Sequence, residues 1–365
     1  ITSFFTAVLV TRVILQRSID KNKEVKFETN FSKGILANAN WNFIGMRKKA
    51  YIISSIVILL GVGSMFTKGF ELGVEFNGGR EYGIEFAQSV STDQLKDALD
   101  DDFSGSDVIV KSFGADNKVK VTTNFLHGEN NNEADSTVKS KLAASLMAFG
   151  GDDNGFTFLS ERKAGPSIAD DFQRSSRTST IFGIIVVFLY IFARFSKLQF
   201  GLGAIIAIFH DVLIVLAMFS IFKGLLPFDL EISQAFVAAL LTVIGYSIND
   251  TVVIFDRIRE YFNRGTKQKA SEIINSAVNN TLSRTVMTTT TTFIVVAILL
   301  VFGSSEIQGF AFALLIGIIS GTYSSIFIAT PMIIDLDFSG NLEEDLKKDA
   351  EKKQVEMAES AAIKA

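Results

Sequence analysis

The sequence contains no cysteine and only 2 histidines, His127 and His210. A disulfide framework, a thiolate metal site, a cysteine nucleophile and a histidine-rich zinc site are therefore all excluded. The missing cysteines say nothing about compartment. Proline is almost absent, at 3 of 365 residues. Charge is also scarce: Asp, Glu, Lys and Arg make up 20% of the chain, bunched into a few segments, and the net charge is only −4. So small and scattered a charge does not fit a nucleic-acid binder, and no nucleic acid is expected among the partners. Within residues 68–177 no Ser-His-Asp arrangement, paired-carboxylate pocket or metal cluster can be assembled from spacing, and His127 sits in a Gly/Asn-rich loop as a solvated histidine would. Nothing argues for enzyme chemistry, a catalytic residue, a cofactor or a metal.

What the chain has in abundance is apolar length. Hydrophobic residues reach 48%, mean hydropathy is +0.32, and 34 Phe stand against 6 Tyr and 1 Trp. Six stretches are nearly free of charge: Ala50 to Thr67, Thr178 to Ala193, Leu198 to Phe222, Ile232 to Phe255, Thr285 to Ser305 and Ile307 to Ile334. Each is about long enough to cross roughly 30 Å of hydrocarbon as a helix. Arg and Lys concentrate before the first stretch, between the second and third, and after the fourth. In a six-helix topology all three loops share one side, which the positive-inside rule makes cytoplasmic. A lipid bilayer is thus the first partner, and the tail 335–365, with Lys among acids and alanines, reads as solvated and partly helical or disordered.

Between the first two spans, residues 68–177 form a soluble insert on the far side. Its pattern predicts strand (Glu81 to Phe86), helix (Ser91 to Leu99), two strands (Val108 to Phe113, Lys118 to Thr123), helix (Glu133 to Phe149) and strand (Phe156 to Glu161), with a loop at Gly128 and Asn130 to Asn132. That order, βαββαβ, is that of a small ferredoxin-like α+β domain. An internal echo also stands out. Thr2 to Leu15 (TSFFTAVLVTRVIL) can be laid on Gly321 to Ile334 (GTYSSIFIATPMII) with Thr11 on Thr330. If the echo is a repeat, the chain opens with the last helix of one six-helix unit and continues with a whole second one, a plan common among transporters.

Residues 239–260 read ALLTVIGYSINDTVVIFDRIRE. Other motifs follow the same order: GVEFNGG at 73–79, AGPSI at 164–168, FHDVLI at 209–214, TLSRT at 281–285 and GFAFALLIGIISGTYSSIFIATP at 309–331. Over about residues 40–335 this sequence resembles the SecF family of bacterial Sec protein translocase subunits, within the resistance-nodulation-division (RND) superfamily. Glu75 stands where many members carry Asp. The resemblance implies an α-helical membrane protein with six transmembrane helices in an RND-type bundle and a periplasmic α+β domain. It divides the chain into 1–19 as the end of a SecD-like last helix, 20–49 as a cytoplasmic linker, 50–67 as the first span, 68–177 as the periplasmic domain, 178–334 as the second to sixth spans, and 335–365 as the tail. Residues 1–19 then suggest a fused SecDF chain. Implied partners are a SecD-like half, the SecYEG channel, the SecA pathway, YajC and YidC, unfolded polypeptide and protons. The implied place is the bacterial inner membrane, and the implied work is protein export coupled to the proton-motive force. An RND-type efflux pump for lipids or drugs, or a passive translocase scaffold, are the alternatives.

The polar residues inside the spans are candidates for the coupling. An ionised Asp250 deep in the fourth span would cost about 2.5–3.5 kcal/mol. Gly245, Ser247, Asn249 and Thr251 around it allow close helix approach and hydrogen bonds, so Asp250 reads either as a proton or ion carrier or as a buried packing contact. Arg284 opens the fifth span with Thr288 and Thr291 on its face. It stays charged, so its role is either to tune Asp250 electrostatically or to reach cytoplasmic phosphates. His210 and Asp211 lie mid-span about 100° apart around a helix, which predicts that they do not face the same groove. One is a candidate relay and the other its polar partner, or both are structural. Proton-pathway candidates are therefore Asp250, Arg284, Asn249, Asp211 and His210. Asp256, Arg257, Arg259 and Glu260 read as a solvated ion-pair cluster or docking surface. Gly73, Gly78 and Gly79 read as turn and close-packing glycines, because no Lys-Ser/Thr follows to make a phosphate loop.

Overall fold

The computed structural model describes residues 5–21, 34, 36, 39–129, 131–150, 155–195, 197–264, 268–337 and 344. The expected tail beyond 337, apart from 344, most of the linker 20–38, Asn130 and Lys267 lie outside the described residues. Contacts divide the chain into two units, residues 1–40 and 41–365. In the first, a π-helical turn over Phe5–Val10 runs into α1 (Thr11–Asp20), and Thr11 Oγ1 donates to the Thr6 carbonyl at 3.0 Å.

The second unit begins with α2 (Phe43–Thr67), whose start is capped by the Asn42 side chain accepting from Gly45 N–H. A short strand β1 (Glu71–Leu72) and one helical turn, α3 (Val74–Asn77), lead to β2 (Gly79–Phe86). Then follow α4 (Thr92–Asp102), β3 (Val108–Phe113), β4 (Ala115–Thr123), α5 (Asn132–Gly150) and β5 (Phe156–Ala164). The sheet is antiparallel throughout, in the order β3-β4-β2-β5, as the βαββαβ reading requires. Tyr82, Ile84 and Phe86 of the central strand meet Leu95 and Leu99 of α4 and Val138, Leu142 and Leu146 of α5, and this is the core of the domain. Gly78 and Gly79 take φ of +71° and +120°, and a Cβ on Gly79 would lie 2.6 Å from the Thr123 carbonyl oxygen. They are turn and close-approach glycines, as their sequence context suggests.

Among the described residues, six helices are long and apolar enough to cross a membrane. After α2 come α6 (Pro166–Phe195), α7 (Leu198–Phe222), the short strand β6 (Glu231–Ile232), α8 (Gln234–Asn263), α9 (Ala270–Phe302) and α10 (Ser305–Ser324). The last helix passes through a π turn at Ser325–Ala329 into α11 (Thr330–Asp335). Several helices outrun their uncharged stretches: α2 starts at Phe43, α6 at Pro166 and α9 at Ala270. Hydropathy locates the hydrocarbon layer, whereas a helix continues into water wherever its first turns find partners. Those of α9 bury Ile273, Ile274, Ala277 and Val278, and its Asn275 and Asn279 hold the backbone of Trp41. Arg47 and Tyr51 of α2 both bind Asp335 at the end of α11.

The α+β domain is tied to the bundle by charge. β1 pairs in parallel with β6, and Lys120 of β4 lies 3.1 Å from Asp229, 3.7 Å from Glu231 and 4.0 Å from Glu81. Burial works against the Lys120 ammonium, but the carboxylates of Glu81, Glu231 and Asp229 outweigh it and hold its pKa above the usual lysine value. Burial raises Glu231 even with Lys120 beside it.

Candidate functional site within the helix bundle

Helix α7 is the hub of the bundle, and its two ionisable residues are buried: His210 is 7% exposed and Asp211 0%. They turn to different neighbours, His210 to Ser54 of α2 and Asp211 to serines of α8 and α10, and they also touch each other. His210 Nδ1 lies 3.1 Å from Asp211 Oδ1. A helix packed by α2, α8 and α10 has interior on several sides, so neighbouring positions can both turn inward.

Asp211 sits in a cage of hydroxyls. Ser320 donates to Oδ1 at 2.7 Å, and Ser247 and Ser324 donate to Oδ2 at 2.6 and 2.8 Å. One carboxylate thus binds α7, α8 and α10 together. The cage continues where Thr251 meets Ser325 at 2.8 Å and Ser325 donates to the Ser247 carbonyl at 3.2 Å. Ser325 opens the π turn, and Thr330 Oγ1 donates back to the Ser325 carbonyl at 2.7 Å, supplying a bond the wide turn leaves open. This is the bond that Thr11 makes to Thr6 five residues earlier in the N-terminal segment. The positions paired by the internal echo therefore share both the π turn and its hydroxyl filler.

Asp250, one turn along α8 from Ser247, has a different environment. It is 4% exposed, and its Oδ2 has no hydrogen-bond partner among the described residues. Thr285 Oγ1 on α9 is likewise buried and unpartnered. Arg284 precedes that threonine but is itself exposed and forms no ion pair among the described residues. Asn249 is exposed, on a face away from the cage. Thr288 and Thr291 turn their hydroxyls back to backbone carbonyls of α9. The five candidates thus separate into a fully bonded pair (His210, Asp211), a buried carboxyl with spare capacity (Asp250) and two exposed residues (Arg284, Asn249). Sequence reasoning missed Ser320, Ser324 and Thr285. Serines four apart in an otherwise apolar span were the available signal, since they share one helix face.

At the charged end of α8, Asp256 pairs with Arg194 at 2.9 Å and Arg259 at 2.8 Å, and Glu260 with Arg257 and Arg264 at 2.6 and 2.5 Å. This is the ion-pair cluster the sequence suggested.

Six helices long enough to span among the described residues, an α+β insert after the first and a carboxylate buried in the fourth define a multi-pass membrane protein. Residues 146–339 match the family Protein export membrane protein SecD/SecF, C-terminal, and residues 63–90 match the SecD/SecF GG motif. The chain is 41% identical to the protein translocase subunit SecF of Rhodothermus marinus over 303 residues, covering 83% of this chain and 95% of that one. It is 34% identical to that of Helicobacter pylori strain J99, covering 81% and 87%. This chain belongs to the SecF family of protein translocase subunits. Its fold matches the crystal structure of SecDF, a translocon-associated membrane protein from Thermus thermophilus, with a TM-score of 0.74 and 29% identity. A second SecDF structure, in the super-membrane-facing form, matches at 0.64 and 28%. The chain spans 42% and 44% of the length of those SecDF chains while they cover 91% and 94% of it.

Proposed function

We propose that this chain is an auxiliary subunit of the Sec translocase that promotes protein export across the bacterial inner membrane, driven by the proton-motive force, with Asp250 as its proton carrier. The observation that carries the coupling is the buried Asp250 carboxyl, whose Oδ2 has no hydrogen-bond partner among the described residues. A carboxyl saturated with donors, like Asp211, has little room to change its bonding, whereas Asp250 has an open site for a proton or water. Arg284, the residue before Thr285, acts electrostatically: its approach favours the carboxylate, and its withdrawal favours the acid.

One proton crossing about 100 mV supplies about 2.3 kcal/mol. That shifts a two-state equilibrium several tens of fold, which is enough to move a domain though not to unfold one. The moved body is the α+β domain, on the periplasmic side by the basic-loop argument, and it acts on emerging polypeptide. The partners are a SecD-like half, the SecYEG channel and SecA, with YajC and YidC in the same membrane. The shared π turn and hydroxyl bond support reading residues 1–19 as the counterpart, in a SecD-like half, of the last helix here.

The test is export by inverted membrane vesicles with and without an imposed proton gradient. Asp250→Asn should export at the gradient-free rate under both conditions. Retained stimulation by the gradient would leave the scaffold reading standing.

A further inference from the structure

The hydrogen bonds around His210 determine how many protons it holds. Tyr323 Oη lies 2.9 Å from the Ala50 carbonyl, which can only accept, so the phenol hydrogen is committed there. Ser54 Oγ, 3.1 Å from Tyr323 Oη, must then donate to it. With its one hydrogen spent, Ser54 can only accept from His210 Nε2 at 3.0 Å, so Nε2 carries a hydrogen. On the other side of the ring, Nδ1 faces Asp211 Oδ1 at 3.1 Å. That oxygen already accepts from Ser320, and its companion accepts from Ser247 and lies 2.8 Å from Ser324, whose hydroxyl also reaches the Gly321 carbonyl at 3.1 Å. A carboxylate that accepts a committed hydroxyl on each oxygen, Ser320 on Oδ1 and Ser247 on Oδ2, is the ionised form, and an ionised oxygen cannot lie against a bare Nδ1 without repulsion. Nδ1 therefore carries a hydrogen as well.

We propose that His210 and Asp211 form a buried imidazolium–carboxylate pair, a second proton-holding site in the membrane, separate from Asp250. The pair is neutral as a whole, which lets an ionised carboxylate clamp three helices inside hydrocarbon. The chain from Nε2 ends on a carbonyl, which has no hydrogen to pass on, so the proton is held rather than conducted. The cavity beside His210 is lined by Ile53, Val57, Ile214, Met218, Ile316 and Ile319 together with Ser54, Ser320 and Tyr323, so its wall is mostly apolar and its polar members already belong to this network. Tyr323 is the one other titratable side chain bonded to this network among the described residues. Tyr51, bonded to Asp335, and Asp250 lie one turn from Ser54 and Ser247 on their helices. The inference stands on donor directions alone and holds whether or not Asp250 carries protons.

The chain has only two histidines, so His127→Gln in an exposed loop leaves His210 as the single reporter. In whole chains carrying that substitution and nitrogen-15-labelled histidine, in lipid bilayers at neutral pH, both ring nitrogens should bear hydrogen. Adding Asp211→Asn should remove one hydrogen and leave the other on Nε2, where Ser54 holds it. A neutral His210 in the chain with Asp211 intact would overturn the proposal. So would an Asp211→Asn chain with hydrogen on Nδ1 and a bare Nε2. If Asp211→Asn does not fold, the first measurement decides alone, and Ser54→Ala, which removes the acceptor, should weaken the Nε2 hydrogen bond while leaving Nδ1–H in place.

Discussion

At the scale of single residues, two carboxyls one helix apart behave oppositely because of their neighbours. Asp211 has hydroxyl partners on both oxygens and Asp250 has an oxygen with no partner among the described residues. If Asp250 and Arg284 serve one step, then Asp250→Asn, Arg284→Ala and the double substitution should all lose gradient-stimulated export to nearly the same extent. Losses that multiply in the double variant would show two separate steps. Arg284→Lys should retain much of the stimulation if charge alone matters.

Arg80 is another buried charge with defined work. Only 2% exposed, it donates to Asp135 and to the carbonyls of Phe125, Leu126 and Glu129, holding the loop before α5. Arg80→Met should cost the α+β domain about 3–5 kcal/mol, read as faster limited proteolysis of that domain in the intact chain. Asp135 adds a pH dependence. The Lys163 hydrogen bond, then that of Arg80, holds its carboxyl below the ordinary Asp value, against the effect of burial. The folded value is lower than the unfolded one. The stabilisation is therefore complete above the unfolded value, about 3.9, and disappears as pH falls through the lowered folded value. Protease resistance of the domain should fall in that acid range, and Lys163→Met should lose part of it already at neutral pH.

At the scale of elements, the contact of α8 with α10 depends on missing side chains. A Cβ on Gly317 would lie 2.1 Å from Val243 Cγ2, and one on Gly321 would lie 2.9 Å from the Ser247 Cβ. Small residues let the two backbones approach closely enough for Ser320 and Ser324 to reach Asp211. Gly317→Leu should force the helices apart at a cost of about 1–3 kcal/mol, lowering the thermal midpoint of the detergent-solubilised chain. Gly63→Ala, which meets nothing within 4 Å, should leave the midpoint unchanged or slightly higher. Equal effects from both would remove close packing as the explanation.

At the scale of the whole molecule, an α+β domain rests on the bundle through β1–β6 pairing and the Lys120 cluster, so movement of the third and fourth spans has a direct mechanical route to it. Its place across the membrane can be tested cleanly, since the chain has no cysteine to remove first. A cysteine at Gly128 should react with an impermeant thiol reagent from the periplasmic side of intact cells. One at Gln268 should react only after the membrane is opened. The reverse pattern would invert the topology.

Much of this was legible in the sequence, because the signals involved are local. Uncharged length marks spans, since lipid excludes charge along the whole crossing. Alternation and turn residues mark βαββαβ, since each strand and helix declares its own period. Asp250 stood out because a carboxyl in an apolar run is costly wherever the partners lie. What only the tertiary structure decided is which polar groups meet. Asp211 is bonded by residues 36, 109 and 113 positions away, and no spacing rule connects those sites. The close approach of α8 and α10 around Gly317 and Gly321 brings Ser247, Ser320 and Ser324 together over one carboxylate of α7. The angle of about 100° between His210 and Asp211 describes one helix alone, and only the packing of other helices on several sides of α7 made both faces inward.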